Sequence, residues 1–149
     1  MTGVQTCALP IFDGQVYALA GTTDRHGLIA GNVFGEIWQF LKGNACRVFA
    51  ADMMIKAGKG NFYPDVVVIC QQDQQDTETR KCLPHLVVEV MSASTRKRDR
   101  TIKLLCYINS PSVQEYVLIE QDKCEIEVLR RSNGWIPQFY FLGDRKAHV

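Results

Sequence analysis

Phe62-Tyr63-Pro64-Asp65-Val66-Val67-Val68-Ile69-Cys70 is an almost unbroken β-branched run that opens on Pro-Asp. β-Branched residues fit a pleated strand, and proline is tolerated where a strand begins because no ladder donor is needed there. Some fifteen residues further on, His85-Leu86-Val87-Val88-Glu89-Val90-Met91 repeats the pattern after Pro84, with a single carboxylate set between valines. The polar, glutamine-rich segment 71–81 between the two runs predicts a solvated connection. If the two strands pair antiparallel, the start of one lies beside the end of the other. Asp65 lies near the start of its strand and Glu89 near the end of its own, so their carboxylates are expected to share one site. Register decides whether they meet, and periodicity leaves it open.

Working outward, Cys46-Arg47-Val48-Phe49-Ala50-Ala51-Asp52-Met53-Met54-Ile55 predicts a preceding strand, with Gly58, Gly60 and Asn61 as the turn after it. Before it, Leu28, Ile29, Val33, Phe34, Ile37, Trp38 and Leu41 recur at spacings of three and four. That is an amphipathic helix over residues 26–41, with Thr23 or Asp24 as its cap and Gly43 as its stop. Phe12-Asp13-Gly14-Gln15 predicts a hairpin turn. After Glu89, Ser92-Ala93-Ser94-Thr95 caps a second helix that runs from Arg96 to about Ile108 and ends before Pro111. Val113-to-Ile119 and Cys124-to-Leu129 then bracket a short polar loop as a hairpin, and a last strand is expected over 135–141.

The whole is one mixed α/β domain over residues 11–149, in the order α-β-β-β-α-β, with an N-terminal hairpin and C-terminal strands. The stretch 1–10, MTGVQTCALP, has no clean period and is expected to be a disordered or non-native lead.

Composition narrows the chemistry. The 149 residues carry 17 Lys plus Arg against 16 Asp plus Glu, a formal charge of +1, so any nucleic-acid contact must come from a local patch. No apolar run reaches the roughly 20 residues of a membrane span. Six scattered cysteines (Cys7, Cys46, Cys70, Cys82, Cys106, Cys124) show no Cys-x-x-Cys pair, and His26, His85 and His148 form no ligand cluster with them. They are expected to be small buried hydrophobes in a reducing, cytoplasmic compartment, not disulfides or zinc ligands.

A carboxylate among valines is costly unless compensated, and a divalent cation is the simplest compensation for two of them. All-oxygen donors favour Mg²⁺, with Mn²⁺ as a substitute. The competing readings are a turn or salt-bridge role for Asp65 and a buried ion pair for Glu89. Asp99, Lys103 and Tyr107 line one stripe of the second helix, with Leu104, Leu105 and Ile108 as the packing side. Lys103 is the candidate third member of the site, against the plainer reading of a solvated face. Asp52 and His26 are candidates to line the same cleft. Arg96, Lys97, Arg98 and Arg100 are candidates for phosphate contacts, against a solvated basic turn.

The set Gly31-Asn32-Val33-Phe34-Gly35-Glu36-Ile37-Trp38, Cys46-to-Met53, Phe62-to-Cys70, Leu86-to-Thr95, Asp99-to-Tyr107 and Ser112-to-Glu120 resembles the Uma family of restriction endonucleases, within the PD-(D/E)XK nuclease superfamily. The resemblance runs from about Phe12 to Phe141. It implies a nuclease-like core and Mg²⁺-dependent hydrolysis of DNA phosphodiester bonds, with Asp65 and Glu89 as metal ligands. Where the superfamily pattern places lysine, this chain has Met91, and the resemblance implies that Lys103 takes that role from the next helix. A nuclease-fold domain that only binds DNA or protein is the alternative. A homodimer is a candidate assembly.

Overall fold

In a computed structural model of the chain, residues 11–16, 22–141 and 143 are described. The expected 1–10 lead lies outside them. The hairpin strands β1 (Ile11–Phe12) and β2 (Gln15–Val16) are joined by Asp13 and Gly14. Both have positive φ, 49° and 77°, which is what a two-residue primed turn demands. Helix α1 (Asp24–Phe40) follows, capped by Thr23, whose side chain accepts the His26 N–H.

The expected single strand over 46–55 is two strands. β3 (Arg47–Ala50) ends where Asp52 adopts φ 77°, and the chain swings into β4 (Met54–Ala57), which belongs to another sheet. Aspartate tolerates that left-handed conformation better than most side chains. Gly60 and Asn61, expected in the turn, instead form β5 (Gly60–Phe62). A Cβ on Gly60 would lie 2.3 Å from the Phe62 ring, so only glycine fits there. Next come β6 (Val66–Ile69), the two-residue β7 (Arg80–Lys81) and β8 (Pro84–Met91).

The second helix is three consecutive pieces: α2 (Arg96–Arg98), a π turn (Asp99–Lys103) and α3 (Leu104–Ile108). Strands β9 (Glu115–Glu120), β10 (Glu125–Arg130) and β11 (Gln138–Phe141) complete the chain.

The strands form a mixed six-stranded sheet, β11-β10-β9-β8-β6-β3, and a smaller one, β2-β1-β5-β4-β7. The chain order therefore departs from a plain α-β-β-β-α-β, because β4, β5 and β7 leave the large sheet between its strands. Within that sheet β3, β6 and β8 are antiparallel, and β9 runs parallel to β8 after the helical crossover.

The large sheet buries both faces. On one, Val66, Val88 and Val90 pack under Ile29, Val33, Phe34 and Ile37 of α1. On the other, Val67, Val87, Met91 and Leu118 meet Tyr107 of α3 and Ile55 and Phe62 of the small sheet. Each fully buried side chain of this size contributes about 1.5–3 kcal/mol relative to exposure, which is ample to hold two layers on one sheet. No helix among the described residues is long and apolar enough to cross a membrane.

Cys46 and Cys70 flank the paired β3 and β6, with Arg47 opposite Ile69, and they form a disulfide. The expectation of unpaired buried cysteines fails for these two, and Cys124 is exposed.

Candidate metal and catalytic site

Register sets Asp65 and Glu89 side by side. Val66 lies opposite Val88, so Asp65, one residue before β6, comes level with Glu89. The Val90 backbone N–H donates to Asp65 Oδ2 at 2.7 Å, tying the start of β6 to the end of β8. His26 reaches the same oxygen from α1, with Nε2 3.3 Å from Oδ2. Both contacts fall on Oδ2.

Glu89 is only 3% exposed. Its Oε2 lies 2.9 Å from Lys103 Nζ, and the Tyr107 hydroxyl approaches Oε1 at 3.4 Å. Lys103 Nζ also lies 2.9 Å from Asp99 Oδ1. The Asp99 carbonyl in turn accepts the Tyr116 hydroxyl at 3.0 Å.

The stripe Asp99, Lys103, Tyr107 therefore faces inward, with Asp99 1% and Lys103 6% exposed, whereas Leu105 is 58% exposed. Of the expected packing side, Leu104 packs against the core and Ile108 is half-buried, but Leu105 turns outward while the polar stripe takes the buried face. Glu89 supplies the lysine's counter-charge from a different element, which makes it cheaper to bury the polar stripe than to expose it. The π turn carries Asp99 and Lys103 together, and π irregularities inside helices recur at functional sites.

Burial sets the electrostatics. It pushes the Glu89 carboxyl up to about 8, against the pull of the Lys103 ammonium. Asp65 is also raised by burial, partly offset by the Val90 N–H and by His26. For Lys103 burial works downward, but the Glu89 and Asp99 carboxylates outweigh it and hold the ammonium above its ordinary range. Among the described residues no three His, Cys, Asp or Glu side chains gather as a metal cluster. Asp65 and Glu89 are the two carboxylates that could hold a hard divalent cation, whose other ligands would be water and substrate oxygens.

The remaining candidates sort differently. Asp52 is exposed in the turn after β3. Arg96 grips Glu120 with two nitrogens, Nε 2.9 Å from Oε1 and Nη2 2.6 Å from Oε2. Arg100 pairs with Glu127 and approaches Glu120 and Glu125. Glu120 and Glu127 are buried, so these two arginines clamp the second helix onto β9 and β10. Lys97 stays exposed, and Arg98 is half-buried. Sequence reading missed Glu120 and Glu127 as partners. The one available signal was that both acids sit within apolar strands.

The sequence profile of the Uma2 family, described as "Putative restriction endonuclease", matches residues 5–149. An uncharacterised protein of Synechocystis sp. is 31% identical over 138 residues, covering 90% of this chain and 73% of that protein. A second uncharacterised protein of the same organism is 29% identical over 112 residues, covering 72% of this chain and 63% of that one. The crystal structure of a putative nuclease of the DUF820 group from Anabaena variabilis superposes with a TM-score of 0.76 at 17% identity, over 95% of this chain and 81% of that one. At that identity the likeness speaks for the fold, a mixed-sheet, restriction-endonuclease-like α/β architecture. With a profile match along nearly its whole length and a relative above 30% identity, the chain belongs to the Uma2 family.

Proposed function

We propose that this protein is a Mg²⁺-dependent endonuclease that hydrolyses DNA phosphodiester bonds at the Asp65–Glu89 strand ends, with Mn²⁺ able to substitute. The observation that carries the reading is that Asp65, half-buried, and Glu89, buried, stand level where β6 and β8 pair, with a lysine ammonium 2.9 Å from Glu89. Asp65 and Glu89 would hold the cation. A bound divalent cation supplies a water of lowered pKa and stabilises charge on the phosphoryl oxygens. The Val90 N–H fixes the Asp65 carboxylate. Lys103, held by Asp99, orients an attacking water or balances charge that develops beside Glu89.

The second reading, a nuclease-fold domain that binds DNA or protein without cutting, draws on the same lysine. Its ammonium already neutralises the buried acids, so folding needs no metal. Plasmid cleavage in Mg²⁺ or Mn²⁺ separates the two. The wild-type chain is expected to cut, and Asp65→Asn and Glu89→Gln to lose about 100-fold or more while keeping the native circular dichroism spectrum. Equal cutting by both variants would sink the site, and a wild type that neither cuts nor binds Mn²⁺ leaves the binding-only domain.

A further inference from the structure

We propose that His26 is a positioning residue for the metal site, holding the Asp65 carboxylate in one rotamer so that Oδ1 is presented to the cation. The inference rests on the metal reading of Asp65 and Glu89 and adds a residue from the opposite layer of the fold.

His26 stands in the first turn of α1, where its own backbone N–H is tied to Thr23 Oγ1 at 3.2 Å. That tie sets where the imidazole leaves the helix. The ring reaches Asp65 with Nε2 3.3 Å from Oδ2, and both side chains are largely buried, 15% and 17% exposed. The Val90 N–H meets the same oxygen at 2.7 Å. One donor arrives from the sheet and one from the helix that covers its other face. A backbone N–H and an imidazole nitrogen converging on one carboxylate oxygen hold the plane of the group more firmly than one contact does.

The other ring nitrogen argues that this placement is not made for stability. His26 Nδ1 is buried with no hydrogen-bond partner among the described residues. An unsatisfied buried nitrogen costs about 1–3 kcal/mol, which an apolar side chain at the same position would avoid. What the imidazole provides in return is the Nε2–H beside Asp65, and the acceptor there assigns the proton to Nε2. The pair is also reachable: a cavity of about 280 Å³ between α1 and the end of β3 is lined by His26, Gly27, Gly31, Ala50 and Asp65.

The test is Mn²⁺ affinity, measured by isothermal titration calorimetry on the full chain, with melting temperature as the control for folding. His26→Leu is expected to weaken Mn²⁺ binding about tenfold or more without lowering the melting temperature. His26→Asn stays polar but is too short to reach Oδ2, weakens binding as much, and covers the case in which leucine does not fold. His26→Gln places an amide N–H at the reach of Nε2 and is expected to stay within about threefold of wild type. Unchanged affinity in the leucine and asparagine variants overturns the role of His26 alone, as does a glutamine variant no better than asparagine. A wild type that takes up no Mn²⁺ overturns the metal reading itself, and this inference with it.

Discussion

Lys103 and Glu89 meet at 2.9 Å inside the protein, one from the end of a π turn and the other from near the end of β8. Neither charge is viable alone at that depth. Lys103→Met keeps the shape of the side chain but leaves Glu89 and Asp99 without a counter-charge. It is expected to cost about 3 kcal/mol in urea unfolding. With the ammonium gone, Glu89 holds its proton more tightly, so Mn²⁺ affinity measured at pH 7 falls as well. A Lys103→Met protein as stable as wild type, with the same metal affinity, would show that the pair carries neither burden.

The proton on Glu89 has a consequence for stability against pH. Its carboxyl is raised from 4.5 in the unfolded chain to about 8 in the folded one, chiefly by burial. A raised acid contributes stability that is fully present below its unfolded pKa and is lost as pH rises to the folded value. The metal-free protein is therefore expected to lose stability between about pH 4.5 and pH 8, by up to roughly 1.4 kcal/mol per pH unit, and then to level off. Asp65, raised in the same direction, adds to the acid end of that window. Glu120 is lowered by its Arg96 hydrogen bonds, so its contribution is lost only as pH falls below the usual carboxylate range. Lys103 is raised and changes nothing until pH passes its ordinary value. Urea titrations of metal-free wild type and Glu89→Gln check the assignment. The slope should flatten in the variant, and parallel slopes would place the proton elsewhere.

The Cys46–Cys70 bridge, with a sequence separation of 24, ties the edge strand β3 to β6. Closing a loop of that length constrains the unfolded chain by about 3 kcal/mol. Reduction, or the double change Cys46→Ala and Cys70→Ala, is expected to lower the melting temperature measurably and to leave Mn²⁺ affinity unchanged, since the bridge sits at the Ile69 end of β6 and the carboxylates at the Val66 end. A fall in metal affinity on reduction would show that β3 is part of the site's support.

Legibility in the sequence follows how local each cause is. The two β-branched runs were readable, and Pro64-Asp65 and Glu89 mark opposite ends of two continuous strands, but that these pair antiparallel came from the fold. Their register did too, since it is set by pairing and by the Val90 N–H. The break at Asp52 was hidden because, Asp52 apart, Val48 to Ile55 is apolar, and a left-handed aspartate gives no signal of its own. The inward turn of Asp99 and Lys103 could not be read from helical spacing, because Glu89, which makes their burial affordable, lies on another element. The same holds for Cys46 and Cys70, which become neighbours only once β3 pairs with β6.

The basic run after Thr95 looks like a phosphate patch in the sequence, and its side chains divide in the fold. Arg100 is spent on Glu127, which is buried, so Arg100→Ala leaves that acid without its partner and is expected to cost about 2–3 kcal/mol in stability. Lys97 is exposed one turn from the site helix and has nothing comparable to hold. If the protein grips DNA along this helix, Lys97→Ala should weaken binding to a duplex evenly across sequences and reduce the slope of log affinity against log salt by about 1. Arg100→Ala, compared under conditions where it stays folded, should leave that slope alone. Fluorescence anisotropy over a KCl series reads both. A slope that drops with Arg100 and not with Lys97 would mean that the Arg100–Glu127 pair opens to meet phosphate, and that the clamp on β10 is a resting arrangement of the DNA-binding surface.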